Sequence, residues 1–246
     1  MRRISAYSIS LLVLISAGSV LAQDTIDFPL KIKAGIDIAG PAIYIADRNN
    51  FNAEAFISFD KNEKISYTLE GGYLDYRFSQ YNYDYLTRGV FFRAGTDFNL
   101  LRPEVSKGSY WAGIGLRYGL SVFNTETPFL EHENYWGTAT SAISKKTSTG
   151  HFFEVTPGVR TEVFRNFSIG WTVRLRFLIS GGGGKDLRPI YFPGYGQGGK
   201  MVNAGINYYL TWNIPFRKIR VITRPEESEE PEDEEEFPEG TRQEGF

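Results

Sequence analysis

The stretch "FSIGWTVRLRF", residues 167–177, limits the fold more than any other part of the chain. Its alternate residues are Phe167, Ile169, Trp171, Val173, Leu175 and Phe177, and the intervening row is Ser168, Gly170, Thr172, Arg174 and Arg176. A period of two is that of a β-strand, whose successive side chains point to opposite faces. One face is therefore bulky and apolar, and the other carries two permanent cations. Seven further stretches alternate likewise, at approximately 30–39, 51–59, 64–74, 87–98, 110–122, 151–163 and 201–214. Most have roughly the 9–11 residues that a tilted strand needs to cross a bilayer.

The connections between these strands alternate in length. "DKNE" and "FRN" are tight, and "NLLRPEVSKGS" lies on the same side of the expected sheet. The opposite side carries "GPAIYIADRNN", "SQYNYDYL", residues 123–150 and "GGGGKDLRPIYFPGYGQGGK" as long loops. The reading is all-β: an eight-stranded antiparallel up-and-down transmembrane β-barrel, with tight turns in the periplasm and long loops outside. The 15 Tyr, 19 Phe, 4 Trp and 26 Gly suit short alternating strands better than helices.

The ends of the chain set the expected compartment. Arg2 and Arg3, a short apolar run, then Val20 and Ala22 before Gln23 form a secretory signal peptide over residues 1–22. The barrel is expected over 23–223, and 224–246 is expected to be a disordered, acidic periplasmic tail. The tail holds 11 acids against 2 bases and includes Glu232, Asp233, Glu234, Glu235 and Glu236. The formal charge of −2 therefore divides into −9 for the tail, +2 for the signal arginines and +5 for the body. No Cys is present, which excludes disulfides and thiolate chemistry. After the signal no apolar run is long enough for a membrane-spanning helix.

The charges of the strands fall on the row that carries the polar groups and most of the glycines. The cations are Lys33, Arg93, Arg117, Arg160, Arg174 and Arg176, and the anions are Asp37, Glu54, Glu70, Asp97, Glu154 and Glu162. Five of the six cations are Arg, whose planar fork suits paired carboxylates in a confined space. An eight-stranded barrel has an interior just wide enough for side chains to fill. Balanced charges there must pair, because an unpartnered buried charge costs several kcal/mol. The expectation is a lumen plugged by ion pairs, with Trp171, Tyr208 and Trp212 at the lipid interface.

Several patterns invite a chemical reading. His151, with Ser148 and Glu154 nearby in sequence, would suit a lipid-modifying hydrolase, although a triad is defined by spatial roles. "GGGGKD" lacks the spacing of a phosphate-binding loop. The tail acids lack the turn glycine of a calcium loop. No catalytic residue, metal site or cofactor is assigned, and nothing points to nucleic acid. The loop rings Tyr81, Tyr83, Tyr85, Tyr135, Trp136, Tyr191 and Tyr195 either bind partners outside or pack together to close the barrel top.

Taken in order, "GVFFRAGTDFNLL", "GIGLRYGLS", "HFFEVTPGV", "NFSIGWTVRLRF", "YFPGYG" and "NYYLTWNIPF" resemble an uncharacterised family of Bacteroidota outer-membrane proteins, known only as a domain of unknown function. The resemblance covers most of residues 28–218. It implies an outer-membrane location in a Gram-negative envelope and brings no catalytic residues. It also implies a role as an accessory subunit of the outer-membrane protein and surface-lipoprotein assembly machinery. The architecture is similar to the small barrel of outer membrane protein A, without its motifs. The expected function is thus non-enzymatic: a plugged barrel in the lipid bilayer that meets other envelope proteins through its outside loops and acidic tail. A small porin or channel and a lipid-modifying enzyme are the alternatives.

Overall fold

The computed structural model describes residues 25–135, 137–181 and 189–223. The expected signal peptide, the acidic tail, most of "GGGGKD" and Trp136 lie outside the described residues. Residues Ile26–Val221 form one compact unit. The strands are β1 (Thr25–Asp37), β2 (Asn50–Asp60), β3 (Ile65–Gln80), β4 (Tyr83–Asn99), β5 (Tyr110–Asn134), β6 (Gly137–Phe164), β7 (Phe167–Ser180), the two-residue β8 (Tyr191–Phe192) and β9 (Gly196–Gln197), and β10 (Val202–Ile222). Two short helices interrupt them, α1 (Ala39–Ala46) and α2 (Pro103–Ser106).

Eight strands close into a barrel in the order β1-β10-β7-β6-β5-β4-β3-β2. Neighbouring strands pair antiparallel, so the chain runs up and down around the wall. The eight-stranded antiparallel barrel is therefore the fold, and β8 with β9 forms a separate small hairpin inside the long connection before β10. No helix among the described residues is long and apolar enough to cross a membrane, which says nothing of crossing with strands.

One end has tight turns fixed by asparagine. Between β2 and β3, Asn62 Oδ1 accepts the backbone N–H groups of Lys64 at 3.0 Å and Ile65 at 2.7 Å. Between β6 and β7, Asn166 turns the chain with φ of 68°, a left-handed conformation that Asn tolerates. We call this end the lower end.

The upper end differs from the expected run of long loops. "SQYNYDYL" is strand on both sides of a turn at Tyr81–Asn82, with Gln80 paired to Tyr83. Residues 123–134 and 137–150 form the upper half of the β5–β6 ladder, which shifts register between Thr125 and Leu130 and ends at the Asn134–Gly137 pair. Strands continued where the sequence reading ended them because backbone pairing does not need an inside and an outside. Once both faces are wet, the apolar alternation disappears while the ladder persists. Helix α1 replaces the loop expected after β1: Asp37 accepts the N–H of Gly40 at 2.9 Å and Ala39 at 3.3 Å, which turns the strand into a helix.

The outer wall is apolar. Ile57, Leu69, Phe92, Leu116, Trp171, Ile206 and Trp212 all lie exposed on outward rows. Near the lower end, rings stack across strands, Phe59 on Phe216 at 4.9 Å and Phe167 on Trp212 at 5.9 Å. Tyr208 and Trp171 are paired four residues higher along the same two strands. A barrel with its polar side chains inside and its apolar ones outside inverts the arrangement of a soluble protein.

Candidate functional site

The lumen is filled in three layers. The middle one is ionic. Inward rows of β2, β3, β4, β5, β6 and β7 bring Glu54, Glu70, Arg93, Arg117, Glu154, Arg174 and Arg176 to one place. Arg174 and Glu154 are fully buried. Arg174 donates from Nη1 to Glu70 at 3.0 Å and Glu154 at 2.6 Å, and from Nη2 to Glu54 at 2.6 Å. Arg93 donates to Glu54 at 2.9 Å and Glu70 at 2.7 Å. Arg117 reaches Glu70 at 3.0 Å and Asp97 at 2.9 Å, and Arg176 reaches Glu154 at 3.0 Å. Tyr209 adds its hydroxyl to Glu54 at 3.0 Å. Each carboxylate thus meets more than one donor, the condition under which a buried ion pair is tolerated.

Above the ions lies an aromatic plug. The connection after β7 turns down into the barrel as β8 and β9, and buries Phe192 and Tyr195 completely. Phe192 stacks on Phe123 at 5.1 Å and on Tyr195 at 4.8 Å, and Tyr195 meets Phe152 at 5.6 Å. The plug is fastened to the ionic layer: Arg93 Nη2 donates to the Gly194 carbonyl at 3.1 Å, with its guanidinium 4.5 Å over the Phe91 ring. Gly194 has φ of 74°, and a Cβ there would lie 2.6 Å from Phe91, so the turn needs glycine on both counts. Tyr85 accepts the Ile190 N–H at 3.1 Å and donates to the Tyr191 carbonyl at 3.0 Å. The Tyr195 hydroxyl donates to the Lys200 carbonyl at 2.6 Å.

The lower layer is smaller and polar. Lys33 pairs with Asp60, and Lys31 pairs with Glu162 and donates to the Gly108 carbonyl at 2.7 Å. Thr68 donates to Asp97 at 2.8 Å, and Asn213 lies against Ser168. Arg160 sits 5.4 Å over the Trp111 ring, without a carboxylate in ion-pair range among the described residues.

The positions of the expected residues can now be stated. Arg93, Arg117, Arg174, Arg176, Glu54, Glu70, Glu154 and Asp97 form one network; Lys33 belongs to the lower layer, and Asp37 starts α1 near the top. Glu162 lies at the lower end on Lys31, not beside Arg174 or Arg176. The sequence reading missed Lys31 and Asp60. Asp60 is the next inward position after Ser58, one residue past the expected strand end. Lys31 shares the inward row of Lys33 and Asp37, so alternation already pointed to it; below it the strand changes face, and the buried residues are Phe28 and Leu30 of the other row. Phe91, Phe123 and Phe152 were also missed, because each adjoins residues that mark the opposite row.

The loop rings divide between the two readings given for them. Tyr85 and Tyr195 pack inside and close the barrel top as part of the plug, and Tyr191 is half-buried, stacked on Tyr76 at 4.8 Å. Tyr81 and Tyr135 are exposed, and Tyr83 is half-buried against Phe78. Ser148, His151 and Glu154 are not brought together. Ser148 and Glu154 face inward, whereas His151, at odd spacing from both, meets Tyr118 at 2.7 Å on the outward row. Glu154 is moreover occupied by arginines. Among the described residues no group of three or more His, Asp or Glu side chains is placed to hold a metal.

The chain matches the family described as "Domain of unknown function (DUF6048)" over residues 3–219. Comparison with the curated proteins finds no match. Among solved structures, the crystal structure of Ail, the attachment invasion locus protein of Yersinia pestis, is similar at 9% identity and a TM-score of 0.37, covering 81% of this chain and 99% of that one. The crystal structure of Neisserial surface protein A (NspA) is similar at 14% identity and a TM-score of 0.35, covering 78% of this chain and 99% of that one.

Proposed function

The chain belongs to this family of unknown function, and from that premise we propose that it is a non-enzymatic, non-conducting outer-membrane barrel that acts as an interaction subunit of an envelope assembly. The observation that carries this reading is the complete burial of Arg174, Glu154, Phe192 and Tyr195 along the barrel axis. A lumen filled at two levels leaves no path for solutes, so the work of the protein falls to its outer surfaces. The apolar outward rows and stacked lower rings support insertion in a bilayer. The upper β5–β6 ladder, with exposed residues over most of 131–147, offers backbone and polar side chains beyond the wall. The acidic tail offers a second contact, suited to a basic partner in the periplasm. An accessory role in assembling outer-membrane proteins or surface lipoproteins fits such a subunit.

The test has two arms. In planar bilayers the folded protein gives no unitary conductance; reproducible channels would overturn the closed-barrel reading. Crosslinked purification of the full chain recovers a stable envelope partner, and the yield falls when residues 131–140 are shortened or the chain is ended at Thr223. Recovery unaffected by both changes would remove the assigned contact surfaces.

A further inference from the structure

The barrel wall is incomplete at one place. β1 ends at Asp37, where the Ile38 N–H donates to the Tyr208 carbonyl at 2.9 Å. β10 continues upward from this point through Val202–Asn207, paired with β7 on its far side. β2 likewise continues above Ala55, the last residue paired with β1, up to Asn50. Helix α1 stands in the opening and leans on β2: a Cβ on Gly40 would lie 2.2 Å from the Asn52 carbonyl oxygen, and Tyr44 packs edge-on against Phe51 at 5.2 Å. A cavity of about 220 Å³ remains here, bounded by α1 and β10 at the wall and reaching inward to Leu74, Phe91, Arg93 and the plug residues Tyr191 and Gly194.

The lining shows that this cavity crosses the wall. Asn207 and Arg176 belong to inward rows, whereas Ala204 and Ile206 belong to the outward row of β10. Ile43 of α1 is 49% exposed and Ile206 is 58% exposed. The mouth is therefore apolar and level with the outer wall, and the floor is the edge of the ionic layer. Two charged groups on that floor have unused capacity. Arg176 commits Nε to Glu154 and Nη1 to the Tyr195 carbonyl at 3.4 Å, leaving Nη2. Glu54 receives Arg93, Arg174 and Tyr209 on Oε1, leaving Oε2.

We propose that this side opening takes the headgroup of a zwitterionic phospholipid from the surrounding membrane, with its phosphate on Arg176 and its ammonium on Glu54. Asp37 also lines the cavity, its carboxylate accepting the Ala39 and Gly40 N–H groups, so the floor sets the free donor of Arg176 beside two carboxylates and matches a head that carries both charges better than a purely anionic one. The volume lies below the ~300 Å³ at which sites for drug-sized ligands begin. Only a small head fits, and the acyl chains stay outside against Ile43 and Ile206. The inference rests on the membrane placement proposed above.

The test uses the full chain refolded in detergent micelles and freed of lipid, its fold checked by circular dichroism and by heat-modifiable gel migration. Phosphatidylethanolamine, phosphatidylglycerol and soluble glycerophosphoethanolamine are titrated, with bound copies counted by native mass spectrometry. One phosphatidylethanolamine binds, at least tenfold tighter than either of the others. Ala204→Trp, which fills the mouth without touching the ion pairs, weakens binding at least tenfold; Ile214→Trp, lower on the same outward row, leaves it unchanged. Equal binding of the two lipids overturns the zwitterion assignment. Equal binding of the soluble head overturns the membrane source. Full binding by folded Ala204→Trp overturns the site. If the chain instead fractionates as a soluble protein, the membrane reading itself fails, an outcome distinct from all three.

Discussion

Arg174 and Lys145 are cations on adjacent strands of one barrel, and their surroundings could hardly differ more. Arg174 of β7 is completely buried and shared among three glutamates. Lys145 of β6 stands exposed on the upper ladder, beyond the layers that fill the lumen. Both lie in strands, Lys145 within the register shift between the Thr125–Lys146 and Thr127–Ile143 pairs, so secondary structure does not separate them. Desolvation does: a charge taken from water must be matched by its neighbours, whereas a charge left in water needs none. The lumen is therefore a region of fixed identity and the upper ladder a region of permitted change. Arg174→Met leaves its glutamates short of a donor and destabilises the folded barrel by about 3–5 kcal/mol. Lys145→Met shifts it by no more than about 0.5 kcal/mol. Urea unfolding in micelles, followed by tryptophan fluorescence, measures both. Similar midpoints for the two variants would mean that the ionic layer does not hold the barrel.

The plug extends the same comparison to apolar groups. Phe192→Ala removes a fully buried ring stacked on Phe123 and Tyr195, and costs about 3 kcal/mol in the same unfolding assay. It nevertheless leaves planar bilayers silent, because the ion pairs beneath still close the lumen. Conductance in this variant would mean that the plug, rather than the ionic layer, is the seal. Gly194→Ala is milder. Its left-handed backbone costs an alanine roughly 1–2 kcal/mol, and the added methyl presses on Phe91. Loosening should be confined to the turn, read as faster proteolysis near residues 189–200 with the barrel intact.

The division between the two regions also explains what the sequence discloses. Within the wall, each strand has a lipid-type face and a filled face, and the contrast between Trp171 and Arg174 or between Ile206 and Asn207 is visible in the residues themselves. Strand number, topology and most of the inward charges follow from it. Above the wall the contrast vanishes. Residues 138–147 are mostly polar on both rows, with Ala139, Ala142 and Ile143 falling on no single face, so nothing in their pattern separates a paired ladder from a loop. The plug was hidden for another reason. "YFPGYG" carries rings and turn glycines that serve equally well facing out or folded in. The choice depends on empty space at Gly119 and Gly150, where Cβ atoms would strike Phe152 and Phe192. That complementarity joins residues far apart in sequence and has no local signature. Asp60 was concealed at a strand end, where one residue more decides the face, whereas Lys31 was legible on the row of Lys33.

Lys31 provides the intermediate case, and hence the smallest and sharpest test. Its side chain is nearly buried, but its partner Glu162 is 18% exposed at the lower end of the barrel. Water reaches one side of this pair and not the other, so its charges are partly screened before any salt is added. Lys31→Met should cost about 1 kcal/mol, near the upper limit for pairs that retain solvent contact. Salt then separates the two kinds of ion pair. At 1 M ionic strength the screening length falls to about 3 Å, which reaches an exposed carboxylate and not one enclosed by arginines and rings. The cost of Lys31→Met should therefore shrink between 0.05 and 1 M salt, about the range over which screening of exposed pairs becomes complete. The cost of Arg174→Met should hold constant over the same range. If both costs fell together, water would have access to the middle layer, and the closed lumen on which the function rests would have to be abandoned.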